Sequence, residues 1–306
     1  MISVIITSYN SEEFIERSIK SVLDQSGKKY INEILLIDDG STDKTINIAK
    51  KISEEIKIIS KKNKGPASSR NLGVLKSKSE LVAFLDADDY WHKDKILNQF
   101  EDYSKFSNFD IFVCNTRSVS KNKILNTRFD EKKIFSDNNM KIGEVKNYIN
   151  PKGRYSFHPP SSIMVKKKVF HEIGYYDENY ISVEDSEIFL RWVINEKKIL
   201  FNSKPLVFYE ISNDNSLTKN LNLWSINHFN YWKRVNISKL NKNKKYLFKL
   251  MRRNTLLNSV LTIIKRGENK LAFSLMIKNF YLLVSIKYFF IFILCLLPLY
   301  LFKKKK

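Results

Sequence analysis

The chain has 306 residues, enough to bury a full α/β core as one domain or as one domain with an appendage. Its net charge is +21, but residues 1–218 hold 34 Lys and Arg against 31 acids, whereas residues 219–306 hold 19 against one, Glu268. Two cysteines far apart in sequence, Cys114 and Cys295, exclude a disulfide-built scaffold and fit a reducing compartment.

The N-terminus, Met1-Ile2-Ser3-Val4-Ile5-Ile6, enters a strand at once, so no signal peptide is expected. Thr7-Ser8-Tyr9-Asn10 is a polar turn, and Asn10 or Ser11 is placed to cap a helix over 12–25 that Gly27 ends. A second apolar run, 33–37, ends in Asp38-Asp39-Gly40-Ser41-Thr42-Asp43 and feeds a helix over 44–53. A strand at 56–59 follows, then Lys64-Gly65-Pro66-Ala67 opens a helix through Lys76. This alternation with short loops predicts parallel strands joined by helical crossovers. The polar loops at 7–11, 38–43 and 86–91 all leave strand C-termini, so they should share one crevice.

The strand over 81–85 organises the chain. Five apolar residues, Leu81-Val82-Ala83-Phe84-Leu85, read as a strand buried on both faces and run into Asp86-Ala87-Asp88-Asp89. Carboxylates this close raise one another's pKa unless a cation sits among them. Hard oxygen ligands favour Mg²⁺ or Mn²⁺. The competing reading caps the helix near Lys93 with Asp88 or Asp89. Further on, a helix over 93–106, a strand over 110–114, a polar excursion over 118–153, and a strand over 161–165 are expected. A turn at 174–178, a helix from Glu184 to Asn195 and a last strand over 199–209 complete the unit. No Gly-x-Gly-x-x-Gly follows the first strand, which disfavours a dinucleotide-binding domain, and there is no Gly-Lys-Ser/Thr phosphate loop.

Five stretches in order make the chain recognisable. They are Ser3-Val4-Ile5-Ile6-Thr7-Ser8-Tyr9-Asn10, Ile37-Asp38-Asp39-Gly40-Ser41-Thr42-Asp43, Asn63-Lys64-Gly65-Pro66-Ala67-Ser68-Ser69-Arg70-Asn71, Phe84-Leu85-Asp86-Ala87-Asp88-Asp89, and Glu184-Asp185 with Arg191-Trp192. Over residues 1–218 the chain resembles the family 2 glycosyltransferases. The resemblance implies an α/β GT-A nucleotide-diphospho-sugar transferase fold, mostly parallel, and an inverting transfer from a nucleotide-diphosphate sugar.

It also implies roles. Thr7 lies in the donor-binding stretch. Asp86 and Asp88 form the Asp-x-Asp motif, with Asp89 adjoining, and reach ribose and a diphosphate-bound metal. Asp185 matches the general base, with Glu184 beside it and Arg191 orienting the acids or binding phosphate. The residues agree with these roles. Tyr9 can stack on a base, and Asp39 can accept an imide N–H of uracil or thymine, with Asp38 supporting the nucleoside. Arg70 can meet a diphosphate. Each has a structural alternative: a packed aromatic, turn residues beside Gly40, a surface ion pair, and helix N-terminal acids. One departure stands out: Asn213 occupies the place where the family often carries a His. His158, ahead of Pro159-Pro160-Ser161-Ser162, matches a stretch near the acceptor side or serves the core.

The basic segment 219–306 forms a second region. A helix over 246–264 ends at Lys265-Arg266-Gly267. Residues 280–302 are apolar except Ser285 and Lys287, and the uninterrupted part, 288–302, is short for a span of ~20 residues and contains Pro298. Four lysines, 303–306, close the chain. An interfacial or re-entrant helix on an anionic membrane surface is expected, with the protein at the cytoplasmic face. A nucleic-acid partner is disfavoured, because the basic residues lie beside an apolar run and not among stacking aromatics. The expected partners are a nucleotide-sugar donor, a lipid-linked or growing glycan acceptor, and Mn²⁺ or Mg²⁺. The rival enzyme reading is a sugar nucleotidyltransferase, against which Glu184-Asp185 argues.

Overall fold

A computed structural model describes residues 1–120, 123–127, 142–144, 158–180, 182–212, 227, 230–231, 234–238 and 240–279. The chain packs as two units: Met1–Tyr148 with Ser156–Asp214, and Ile149–Tyr155 with Asn215–Lys306.

In the first unit the apolar runs at 2–8 and 81–85 become strands buried on both faces. β1 (Ile2–Ser8), β2 (Ile31–Asp38), β3 (Ile56–Ser60) and β4 (Leu81–Asp86) lie parallel in the order β3-β2-β1-β4. The connections carry α1 (Ile15–Leu23), α2 (Thr45–Ile52) and α3 (Pro66–Lys76). α1 buries Ile15, Ile19 and Val22, a stripe at helical spacing. It starts later than its polar signals suggest, because the Ser11 N–H is bound to Thr45 Oγ1 and the Asn10 side chain accepts from Thr42. α3 begins on Pro66 after Gly65 at φ +88°. It presses on β1 so closely that a Cβ at Gly73 would stand 2.4 Å from Ile5 Cγ2. That approach buries Arg70, in the middle of α3, against the sheet.

The second half adds β5 (Tyr90–Trp91), α4 (Lys95–Lys105), β6 (Ile111–Ser120), β7 (Lys123–Thr127), β8 (Ile142–Glu144), β9 (Ile163–Lys166), α5 (Lys168–Ile173), α6 (Glu184–Ile194) and β10 (Ile199–Glu210). The sheet continues from β4 through β9, β6 and β10 to β5, with β7 on β6 and β8 on β10. This half is mixed: β10 is parallel to β6, but β9 runs antiparallel to both β4 and β6. A 3₁₀ turn at Pro160–Ser162 brings the chain in beside the end of β4, so β9 runs back along it. Of the expected excursion over 118–153, the end of β6, β7 and β8 are described; the remainder lies outside the described residues.

In the second unit, α7 (Lys242–Lys265) is capped by Asn241, whose side chain accepts from the Lys244 N–H. It ends where Gly267, at φ +87°, returns its N–H to Ile264. Leu256, Val260, Ile263 and Ile264 close against Ala272 and Met276 of α8 (Asn269–Ile277). Among the described residues no helix is long and apolar enough to cross a membrane. The apolar run 280–302 and the lysines 303–306 lie outside the described residues.

Candidate active site

Strand register assembles the site. Thr7 of β1 stands beside Asp86 of β4, and Ser8 stands beside Asp38 of β2. The polar residues that follow each strand therefore meet at the carboxyl edge of the sheet, where open α/β sheets bind ligands.

The loops after β1 and β2 are laced together. Asn10 N–H donates to Ser41 Oγ at 2.9 Å, Glu12 N–H to Asp43 Oδ2 at 3.0 Å, and Lys44 N–H to Glu12 Oε2 at 2.9 Å. This bracing holds Tyr9 out at the edge with half of its surface exposed. Asp38 turns inward: it accepts from the hydroxyls of Ser8 and Ser41 and from the N–H groups of Gly40 and Ser41. It builds the turn from inside. Asp39 accepts from Lys61, from Lys64 N–H at 3.0 Å and from Gly65 N–H at 2.8 Å, tying the start of α3 to the end of β2.

Arg70 is the hub. Its guanidinium donates from Nη2 to Asp86 Oδ1 at 2.7 Å and from Nη1 to Glu184 Oε1 at 2.9 Å. Thr7 Oγ1 donates to the same Asp86 oxygen at 2.9 Å. The ring of Tyr176 lies 5.6 Å from the guanidinium carbon. Burial works to strip Arg70 of its charge, but Asp86 and Glu184 hold its pKa well above the usual value. Asp185, next to Glu184 at the start of α6, stays partly open to solvent. Burial and then the charge of Glu184 push its carboxyl up to about 7, against the pull of Arg70. Arg70, expected at a diphosphate, here gives two of its donors to carboxylates inside the protein.

The Asp86–Asp89 turn divides its acids. Asp86 and Asp88 remain half-buried at the edge. Asp89 is 1% exposed and accepts from Ser161 Oγ at 2.6 Å and from Glu210 N–H at 2.9 Å. Burial, then the charges of Asp88 and Asp86, raise its carboxyl well above the ordinary range. Asp89, expected in the metal set, here pins the turn to β10 through both of its oxygens. Among the described residues no three acid, His or Cys side chains converge as a cage for a metal ion. Two edge carboxylates, Asp86 and Asp88, fit an ion that takes its remaining ligands from diphosphate and water, as Mg²⁺ commonly does.

A glycosyl transferase family 2 profile matches residues 3–174. The chain belongs to glycosyl transferase family 2. The chain spans 19% of the length of an uncharacterized glycosyltransferase from Rickettsia conorii, with 46% identity over 122 residues, 39% of this chain. It spans 41% of the putative teichuronic acid biosynthesis glycosyltransferase TuaG of Bacillus subtilis, 42% identical over 105 residues, 33% of this chain. It spans 39% of the Escherichia coli UDP-Glc:alpha-D-GlcNAc-diphosphoundecaprenol beta-1,3-glucosyltransferase WfaP, 42% identical over 101 residues, 32% of this chain. In fold, it matches the crystal structure of Staphylococcus aureus TarS 1-349 in complex with UDP at a TM-score of 0.62 and 21% identity, covering 86% of this chain and 74% of that one.

Other expected residues of this family 2 chain fall elsewhere. Arg191 makes a two-pronged pair with Glu187, at 2.8 and 2.6 Å, and donates to the carbonyls of Ile173 and Tyr175. It therefore braces the turn that delivers Tyr176 to Arg70, and its bonds go to Glu187 and not to Glu184 or Asp185. His158 is fully buried, its ring 5.2 Å from that of Phe201 and 5.6 Å from that of Phe189. The stretch 213–218, with Asn213, lies outside the described residues. Sequence reasoning missed Ser161, which reads simply as the start of a strand. Its hydroxyl accepts from Asp86 N–H at 3.1 Å while donating to Asp89, and its carbonyl takes the Trp91 indole N–H at 2.9 Å. Only the antiparallel return of β9 reveals that position.

Proposed function

We propose that the protein is an inverting, metal-dependent glycosyltransferase that moves a sugar from a nucleotide-diphosphate donor, a UDP-sugar or close relative, to a lipid-linked or growing glycan acceptor. One observation carries this reading: Arg70 joins Asp86, on the donor side, to the Glu184-Asp185 pair at the start of α6. Transfer with inversion is one displacement at the anomeric carbon. The acceptor oxygen forms its bond to that carbon as the bond to the diphosphate oxygen breaks. The acceptor proton passes to Asp185, whose carboxyl near 7 is matched to proton transfer at neutral pH. Glu184 is held by Arg70 beside it. Arg70 also holds Asp86 in place. Asp86 and Asp88 would hold Mg²⁺ or Mn²⁺, which neutralises charge on the departing diphosphate when bound.

The printed names of the relatives support the donor and acceptor classes, since TarS was crystallised with UDP and WfaP is named for a lipid-diphosphate acceptor. The basic balance of residues 219–306 supports association with an anionic membrane at the cytoplasmic face. A panel of nucleotide sugars tests the reading, with donor hydrolysis and thermal shift as readouts. Stabilisation and slow hydrolysis with one UDP-sugar are expected. A protein that responds to nucleoside triphosphate and sugar phosphate, releasing diphosphate, would be a nucleotidyltransferase instead.

A further inference from the structure

Arg17 lies in the first turn of α1 and belongs to none of the stretches that carry the family resemblance. Its guanidinium carbon stands 4.3 Å from the ring centre of Tyr90 and 5.7 Å from that of Phe14. Tyr90 in turn stacks on Phe208, with ring centres 4.5 Å apart and planes 11° from parallel. From this layered position Nη2 donates to the backbone carbonyl of Asp88 at 2.8 Å and pairs with Glu210 Oε2 at 3.2 Å. Glu210 is itself immobilised: Ser212 occupies Oε1 with its N–H at 3.0 Å and its hydroxyl at 2.6 Å, and the Glu210 N–H donates to Asp89. An exposed ion pair contributes little, but here the side chain of Arg17 is 28% exposed and that of Glu210 only 2%.

We propose that Arg17 is a positioning residue for the donor–metal turn: lying on the face of Tyr90, it fixes the Asp88 carbonyl and so the direction in which the Asp88 carboxylate leaves the backbone. The inference rests on the reading of Asp88 as a carboxylate that faces a diphosphate-bound cation. The physics is local. A peptide plane is rigid, so anchoring one carbonyl fixes the orientation of the plane that follows the residue. The Asp88 carboxylate is then placed by its side-chain torsions, of which χ1 is confined to three staggered wells. Asp86 on one side is held by Thr7 and Arg70, and Asp89 on the other by Ser161 and Glu210. Arg17 supplies the corresponding anchor for the acid between them. A planar cation lying on an aromatic face is what the position uses, and Lys offers no such plane.

Calorimetric titration of UDP at a series of Mn²⁺ concentrations tests this on the full chain, with Arg17→Gln, Arg17→Lys, Tyr90→Leu and Asp88→Ala. Partners that orient metal ligands typically alter metal affinity by about 10–100-fold. Arg17→Gln is expected to raise the Mn²⁺ concentration for half-maximal UDP binding by about tenfold, with UDP affinity restored at saturating Mn²⁺. Arg17→Lys is expected to fail to rescue it. Tyr90→Leu, which leaves the guanidinium but removes its platform, is expected to give a smaller shift in the same direction and keeps the test open if the Arg17 variants do not fold. An unchanged Mn²⁺ requirement in Arg17→Gln, or in Tyr90→Leu should the Arg17 variants not fold, overturns the proposal. A loss of UDP affinity that Mn²⁺ does not restore also overturns it, since a merely structural role would give that result. Asp88→Ala separates the two levels: if it binds UDP with the parent's Mn²⁺ dependence, the metal reading itself falls, and the role of Arg17 falls with it.

Discussion

Arg70 and Asp86 meet at 2.7 Å although one sits on a helix and the other at the end of a strand, and Asp86 is as much the partner of Arg70 as of any ligand. The guanidinium is 4% exposed, and its second carboxylate, Glu184, 6%. Removing one member of a buried ionic set leaves an uncompensated charge, which costs about 3–5 kcal/mol. Arg70→Met is therefore expected to lower stability by about that amount in urea melts. Arg70→Lys is expected to fold better but to lose about 10²-fold in kcat/KM, because a point charge cannot hold two carboxylates in register. A double-mutant cycle with Glu184→Gln checks the bridge. Effects that add within about 0.5 kcal/mol would show that the two residues act independently.

The carboxyl of Asp185 sets a pH dependence whose sign can be worked out. As the base it must be ionised, and burial beside Glu184 pushes it up to about 7. Activity is expected to fall about tenfold per pH unit below that value, and Asp185→Asn is expected to lower kcat by about 10²–10⁴ while donor binding persists. Stability runs the other way. The folded chain keeps a proton that the unfolded chain has released between about pH 4 and 7, so this group's contribution falls as pH rises through that window. Asp185→Asn is thus expected to raise Tm at pH 8 and to change it little at pH 4. A variant that is no more stable than the parent at pH 8 would contradict the strained ionised carboxylate.

Much of the first unit was legible in the sequence because its signals are local. Continuous apolar runs ending in polar residues mark β1, β2 and β4, and the register that aligns Thr7 with Asp86 follows once those strands are parallel. What stayed hidden depends on contacts remote in sequence. Arg70 reads as a cation for a diphosphate or a surface pair; that it lies buried between Asp86 and Glu184 emerges only once α3 is seen pressed onto β1 through Gly73. Ser161 and Arg17 carry no motif, and their partners lie about 70 residues away, at Asp86, Asp88 and Asp89. Asp89 looks equivalent to its neighbours in the sequence, yet a single Ser161 hydroxyl and one backbone N–H from Glu210 turn it inward. Proximity in sequence placed the three acids together; the fold decided which of them face outward.

That division yields a prediction about metal. UDP binding is expected to require Mn²⁺ or Mg²⁺ and to disappear with a chelator. Asp88→Ala is expected to behave like the chelated protein. Asp89→Asn is expected to retain metal-dependent UDP binding, because the amide oxygen can still accept the Glu210 N–H while the amide NH₂ donates to the Ser161 hydroxyl. Calorimetry with and without chelator measures all three. Equal UDP affinity in both conditions would remove the metal from the mechanism, and loss of metal dependence in Asp89→Asn would return Asp89 to the ligand set.

The basic second region leads to the last prediction. Residues 219–306 carry 19 Lys and Arg against one acid, and residues 280–302 are apolar except for two positions. Each Lys or Arg near an anionic surface contributes about 1 kcal/mol, an attraction that fades within a Debye length and so weakens with salt. Apolar insertion does not weaken in that way. The full chain is therefore expected to sediment with anionic vesicles even in high salt. A version ending at Asn279 keeps most of the charge and loses the apolar run, so it is expected to bind at low salt and to be released at high salt. Co-sedimentation of the two proteins at two salt concentrations separates the contributions. If the full chain stays in the supernatant at both, the apolar run packs within the protein or against a partner, and the membrane-bound acceptor loses its chief physical support.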